Sequence, residues 1–360
     1  MSTILDAYDI AVVGGGLAGA LVARRLADAE RRVVVLESRQ KSGGMAAHIV
    51  GLALIGTPEP YRVLWERLGE ETARRIWDLT QENADLLKRT LLTCGQKFDI
   101  VGSARLTDRA SEVEHWQESL NLLESDGYDV SLEDAADWGY MAALHTQTDV
   151  VFAPMPLLDT LLDHPNITLE TEAEVQAIKP NAATASDGAP LLAIWAHKHY
   201  LWARSVVATG GAFAAQFVPE VRDLLRPLYL CTADLQKPFS LSLPLVLEQG
   251  QVVVAEQGNT WRMVASGDTE SGALALIAKA AQAICPDAAT VTRHSSWVAQ
   301  SRDGFPFVGG LRHCPGGYVL NGLGAWGLSW VFVAAECLAR QILEGDSLPD
   351  TLALTRFEPE

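Results

Sequence analysis

Apolar positions along this chain switch repeatedly between two spacings. Residues 9–13 and 33–36 are short, almost continuous apolar runs, the pattern of strands buried on both faces. Between them Leu21, Val22 and Leu26 recur at helical spacing. Residues 61–92 carry Leu64, Trp65, Leu68, Ile76, Leu79, Leu86 and Leu87 among charges, which predicts two surface helices. Strand-like stretches at 98–106 and 140–144 flank an acidic helix over 111–126, and a turn signal follows at Ser125-Asp-Gly-Tyr128. A helix over 152–163, strands at 167–169 and 174–178, and a hairpin of 191–200 with 201–208 come next. Residues 226–299 alternate like antiparallel strands at 228–235, 238–243, 251–256 and 261–266, then give a helix over 273–284 and a strand over 291–298. A last buried strand near 318–320 leads into a helix with Leu328, Val331, Ala335, Leu338 and Ile342 on one face and Gly345 as its stop.

At 360 residues the chain exceeds the usual single domain. The order of elements predicts an α/β fold: a discontinuous Rossmann-like domain of 1–92, 145–225 and 300–360, with a second, antiparallel-sheet domain of 93–144 and 226–299. The apolar run 238–247 reads either as an interface between copies in a homo-oligomer or as buried strand.

Glycines sit where strands end. The first apolar strand runs into Gly14-x-Gly16-x-x-Gly19, and the second ends in Glu37. In a strand–loop–helix–strand unit, Gly14 makes the tight turn, Gly16 admits a pyrophosphate, Gly19 lets helix and strand pack closely, and Glu37 accepts ribose hydroxyls. The order points to a bound dinucleotide. Gly43 and Gly44, then Thr209-Gly-Gly211, are two further close backbone approaches. Gly322, Gly324 and Gly327 form a fourth, where loop N–H groups and the positive end of the following helix face a flat ligand. A reduced flavin, negative at N1 and O2, fits that end.

Charge narrows the partners. With 28 basic and 45 acidic residues the net charge is 28 − 45 = −17, which repels nucleic acid and anionic membranes. Five scattered cysteines without a C-x-x-C pair argue against a disulfide framework or zinc site. The first eight residues show no export signal, and no run reaches about 18 apolar residues. The expectation is a cytoplasmic protein that does not span a membrane. His197 and His199 read as an exposed hairpin pair, not metal ligands.

The N-terminal fingerprint, the 206–213 segment, Arg302-Asp-Gly-Phe-Pro-Phe-Val-Gly309 and Gly322-Leu-Gly-Ala-Trp-Gly-Leu328, in this order, resemble the FAD-dependent D-amino-acid oxidase superfamily, nearest glycine and sarcosine oxidases. The likeness is strongest over about the first 55 and last 65 residues. It implies a D-amino-acid-oxidase-like fold whose sheet-rich domain roofs the flavin. It also implies oxidation of a C–N bond of an amine by hydride transfer to flavin N5, with O2 or another acceptor taking the electrons. The cofactor-binding set is then Gly14, Gly16, Leu17, Ala18, Gly19, Glu37, Ser38, Arg39, Gly44, Met45, Ala46 and His48, followed by Val175, Thr209, Gly210, Gly211, Gly322, Gly324, Ala325, Trp326, Gly327 and Leu328.

Departures from the family bear on the substrate. Where amino-acid-oxidising members place an arginine for the substrate carboxylate, this chain has Val298, and where several relatives carry arginine in the terminal loop it has Ala325-Trp326. An amine other than a simple free amino acid is therefore expected. Arg302, Arg293 or Arg262 are candidate replacements for the cation; Arg302 otherwise bonds loop carbonyls or Asp303. Trp326 either walls the flavin and substrate space or packs on the roof as a rim aromatic, while Trp330 reads as core. Gly44-Met-Ala-Ala-His48-Ile-Val-Gly51 has the spacing in which sarcosine- and dimethylglycine-dehydrogenase relatives bond histidine to flavin, though it lacks their Thr-Thr-Trp. Trp326, Arg302 and His48 are thus the catalytic candidates, with FAD held non-covalently unless His48 is linked to it. Two alternatives accompany this reading: oxidation of a wobble-uridine side chain in tRNA, and a flavin-binding assembly protein with little turnover.

Overall fold

Strands Tyr8–Val13 and Val33–Leu36 lie side by side and parallel in the computed structural model, which describes residues 7–40, 44–197 and 199–358, without the side chain of His199. Every residue of Val33–Leu36 is buried, because the pleat sends successive side chains to opposite faces and both faces are covered. Val12, Val33 and Val35 enter a core shared with helices Leu17–Asp28, Pro154–Leu162 and Val331–Glu344. Ala11, Val13, Val34 and Leu36 enter a second core, closed by Leu192, Ile194 and Ala196 of strand Pro190–Ala196.

The parallel set runs Gly317–Asn321, His199–Ala208, Tyr8–Val13, Val33–Leu36, Ile167–Glu170. Parallel strands end at a common edge, so the loops after Val13, Leu36, Ala208 and Asn321 meet there despite their separation in sequence.

A second sheet has the order Thr290–Ser301, Leu225–Gln236, Thr260–Gly267, Val252–Gln257, Leu245–Leu247, Ser103–Thr107, Ala142–Thr146, Val130–Asp134. Alternation again sorts its side chains. Cys231, Ala233, Trp261, Met263 and Ala265 pack under helix Glu270–Ile284, whereas Leu230, Val246 and Val264 join Val50, Leu52 and Leu54 beneath the other face. A three-stranded sheet of Leu52–Ala53, Val150–Phe152 and Phe98–Ile100 lies where the chain passes between the two large sheets. Among the described residues no helix is long and apolar enough to cross a membrane.

Several elements differ from the expected bounds. Residues 61–92 do form the two expected helices, Tyr61–Leu68 and Glu70–Thr93, parted at Gly69 (φ 85°); other bounds move. Residues 238–243 form no strand: Pro238 and Pro244 bracket them, and the Leu241 N–H donates to the Glu256 carboxylate instead of to a neighbouring strand. The strand is Leu245–Leu247, wholly buried inside the sheet, so this part of the apolar run is core. The hairpin turns at His197 (φ 45°) rather than after Tyr200. His197 is exposed there, and the His199 side chain lies outside the described residues. The terminal helix starts at Val331, after a short 3-10 turn at Gly327–Ser329.

Candidate functional site

The converging strand ends border a cavity of about 590 Å³ that continues beneath the second sheet. Its mouth is shaped by glycines with distinct reasons. Gly14 has φ 113°, and a β-carbon there would sit 2.8 Å from the Thr209 carbonyl oxygen. At Gly19 one would lie 1.9 Å from the Gly14 carbonyl oxygen, so only glycine lets helix Leu17–Asp28 approach its strand. Gly16 differs. Its backbone is ordinary (φ −73°, ψ −178°), and among the described residues no atom lies within 4 Å of where its β-carbon would be. The fold alone gives no reason for glycine at this cavity-lining position, whereas close approach of a phosphate does.

Glu37 clamps this loop: its carboxylate accepts from the Gly15 N–H (2.8 Å) and the Arg39 N–H (2.9 Å). The Thr209 hydroxyl braces the same turn through the Val13 and Gly14 carbonyls, 3.0 Å each. Gly14, Gly16, Leu17, Ala18, Glu37, Ser38 and Arg39 all line the cavity. So do Gly44, Met45, Ala46, Val175, Thr209, Gly210 and Gly211, and from the terminal loop Gly324, Ala325, Trp326, Gly327 and Leu328. Gly43 lies outside the described residues.

Four of the expected site residues stand elsewhere. Gly19 packs helix on strand, behind the surface. Gly322 is required by φ 76° and by Ser301 and Phe307, whose atoms a β-carbon would meet at 2.9 and 3.2 Å, not by a ligand. His48 caps the 3-10 turn Met45–Ala47, and its ring stacks on His294 of strand Thr290–Ser301, centroids 3.5 Å apart and planes 14° from parallel. Its carbonyl accepts from the Thr232 hydroxyl (2.8 Å), which ties the turn to the second sheet, and His48 does not line the cavity. Burial, then His294 and Arg262, lower the His48 pKa. Arg302 lies over the Phe357 ring at 4.8 Å, and Arg356, not Arg302, pairs with Asp303 (2.8 Å). Neither alternative cation lines the cavity: Arg262 is paired with Asp234 (2.7 Å), and Arg293 is exposed.

The far end of the cavity is apolar. Leu52 and Leu54 from below, and Leu230, Val253, Val264 and Val298 from the second sheet, enclose it with Trp326. The charged residues among its described lining are Glu37, Arg39 and Glu174, gathered at the other end, where the Ala173 N–H bonds the Glu37 carbonyl (2.9 Å). Trp326 lines the cavity, and its indole N–H donates to the Gly250 carbonyl, in the turn before strand Val252–Gln257 (2.9 Å). Trp330 is core, edge-on to Phe305.

Two residues that periodicity did not single out hold this end together. Fully buried Asn83, on helix Glu70–Thr93, donates to the Leu328 carbonyl (2.9 Å) and accepts from the Phe332 (2.9 Å) and Val333 (3.2 Å) N–H groups. It caps the terminal helix, so two N–H groups expected to face the ligand are already engaged. Its only sequence signal is a polar side chain amid the apolar positions of that helix. Arg105, buried on strand Ser103–Thr107, lies over the Trp326 ring at 4.9 Å and donates to the Thr57 (2.5 Å) and Ile55 (2.8 Å) carbonyls. Nearby Asp149 accepts from the Ile55 N–H (2.7 Å) and the Ser103 hydroxyl (2.6 Å). Burial pushes its carboxyl up to about 6, against the opposing pull of Ser103, Ile55 and Arg105.

The sequence model of the family described as FAD dependent oxidoreductase (DAO) matches residues 9–341. Glycine oxidase from Bacillus cereus ATCC 14579 superposes with TM-score 0.78 at 16% identity, over 98% of this chain and 100% of that one. L-proline dehydrogenase from P. horikoshii gives 0.75 at 15%, over 96% and 95%. Iminodiacetate oxidase from Chelativorans sp. BNC1 gives 0.74 at 16%, over 96% and 99%. A probable oxidoreductase, OrdL, of Haemophilus influenzae is 28% identical over 85 residues, which are 24% of this chain and 20% of that protein.

Proposed function

The chain belongs to the FAD dependent oxidoreductase (DAO) family, and from that premise we propose that it oxidises a C–N bond of a neutral or bulky amine in the apolar end of its cavity. The observation that carries this reading is the division of one cavity into a glycine-lined, charged end and an apolar end without any ionisable group among its described lining. Backbone N–H groups at Gly16–Ala18 would hold the diphosphate at the helix start, and Glu37 would take the ribose with lone pairs not used on Gly15 and Arg39. Met45, Ala46 and the Ala325–Leu328 loop, which line the cavity, would hold the ring. FAD supplies the hydride acceptor when bound.

The chain's own contribution is orientation and exclusion of water. Leu54, Leu230, Val264 and Val298 leave the substrate nitrogen no protein base, so the amine enters unprotonated or releases its proton to solvent. Val298 offers no partner to a carboxylate, which favours an amine over a free amino acid. FAD is held non-covalently, because His48 does not line the cavity. Residues 1–92, 145–225 and 300–360 serve as the cofactor domain, and 93–144 with 226–299 as the roof.

The test is FAD titration into apoprotein, followed by an anaerobic panel of primary, secondary and N-methylated amines. We expect one FAD per chain and bleaching of the flavin band by an uncharged, apolar member of the panel. Failure to take up FAD, or reduction by free amino acids alone, refutes the reading.

A further inference from the structure

Immediately behind the apolar wall is a buried cation. Arg105 does not line the cavity, yet its guanidinium lies 4.9 Å from the centroid of the Trp326 ring, which does. Two of its nitrogens donate to the Thr57 and Ile55 carbonyls, and its buried Nε has no partner among the described residues. The indole is fixed by its bond to the Gly250 carbonyl, and Gly250 leaves it room: a β-carbon there would lie 3.2 Å from the ring. A carboxylate standing where the indole ring stands would be at ion-pair range of the guanidinium.

We propose that Trp326 determines specificity by screening Arg105 from the substrate space, so that the pocket takes an uncharged apolar amine and refuses a carboxylate. The buried cation adds attraction to the ring face, which keeps the screen closed. Specificity here is a difference between two affinities, and the wall residue sets its sign. Burial lowers the Arg105 pKa, but guanidinium remains charged throughout the neutral range.

The inference rests on the apolar end being the substrate site, and its test is binding, not turnover. Benzoate and its uncharged counterpart benzamide are titrated calorimetrically into FAD-loaded wild type, W326L, W326A and the double variant R105Q/W326L. Wild type is expected to bind benzamide at least tenfold more tightly than benzoate. Replacing Trp326 shifts that ratio at least tenfold toward benzoate, and adding R105Q takes the gain away while leaving benzamide affinity in place. Circular dichroism shows which variants fold; should W326L and W326A fail to, the bulkier W326M is titrated in their place and must show the same shift toward benzoate.

The proposal is overturned if wild type takes both ligands equally, if the opened pocket leaves the ratio unchanged or binds neither, or if the double variant keeps the benzoate gain. Protein that takes up no FAD fails the functional reading, and the same titrations on it as purified still report on the screen.

Discussion

Replacing Gly16 and Gly19 separately by alanine sets the ligand-directed glycine against the fold-directed one. Alanine fits the Gly16 backbone, and its methyl group would meet no described atom within 4 Å. Stability then changes by two opposing terms: about 0.4–1 kcal/mol gained from a less flexible unfolded chain, and several tenths lost because alanine is a poorer residue than glycine at the start of a helix. The G16A apoprotein should therefore melt within a few degrees of wild type. In the cofactor complex the methyl group would stand in the path of the diphosphate. Losing one charge-assisted N–H bond costs about 1.5–3 kcal/mol, or about 10- to 150-fold in FAD affinity. In G19A the new carbon would lie 1.9 Å from the Gly14 oxygen, a contact relieved only by moving helix Leu17–Asp28 off its strand. Overpacking of this kind costs about 1–3 kcal/mol or more, and the loss appears in the apoprotein itself. Thermal melts of the apoproteins and quenching of flavin fluorescence on titration separate the two. An FAD affinity in G16A equal to wild type, or an apoprotein melt as low as that of G19A, refutes the assignment of Gly16 to the ligand.

Three further outcomes follow from the geometry. N83A leaves the Phe332 and Val333 N–H groups and the Leu328 carbonyl without their partner and should cost about 3 kcal/mol by denaturant unfolding, with weaker FAD binding; an unchanged midpoint removes Asn83 from this role. Because the Asp149 carboxyl sits at about 6 in the folded protein against 3.8 ordinarily, the native state binds a proton there that the unfolded chain has released. Stability should therefore fall as pH rises from about 4 to about 6, by about 3 kcal/mol in all, and D149N should lack this component; parallel pH profiles would exclude Asp149. Acid precipitation should leave the yellow colour in the supernatant for wild type and H48A alike, whereas colour in the wild-type pellet that is missing from the H48A pellet would establish a covalent link through His48.

Much of the glycine-lined end of the cavity was legible in sequence because it is local. An apolar run, a glycine triplet, a helix and an acid within 37 residues fix the Tyr8–Val13, Leu17–Asp28 and Val33–Leu36 unit through backbone geometry and periodicity alone. Which way a side chain turns is not local. His48 has a suggestive spacing, yet His294, far along the chain, takes its ring; Arg302 is drawn to Phe357, and Asp303 pairs with Arg356. Pro238 and Pro244 displaced an apolar run that reads as a strand, leaving Leu245–Leu247 to pair with Ser103–Thr107. Asn83 capping a helix some 250 positions away, and Arg105 backing Trp326, arise only when distant segments pack. The sequence by itself determined that glycines would stand where the strands end, because periodicity and conformational freedom act over a few residues. The tertiary structure decided what walls the other end of the cavity and which charges reach it, because burial and pairing depend on partners that the chain brings together only on folding.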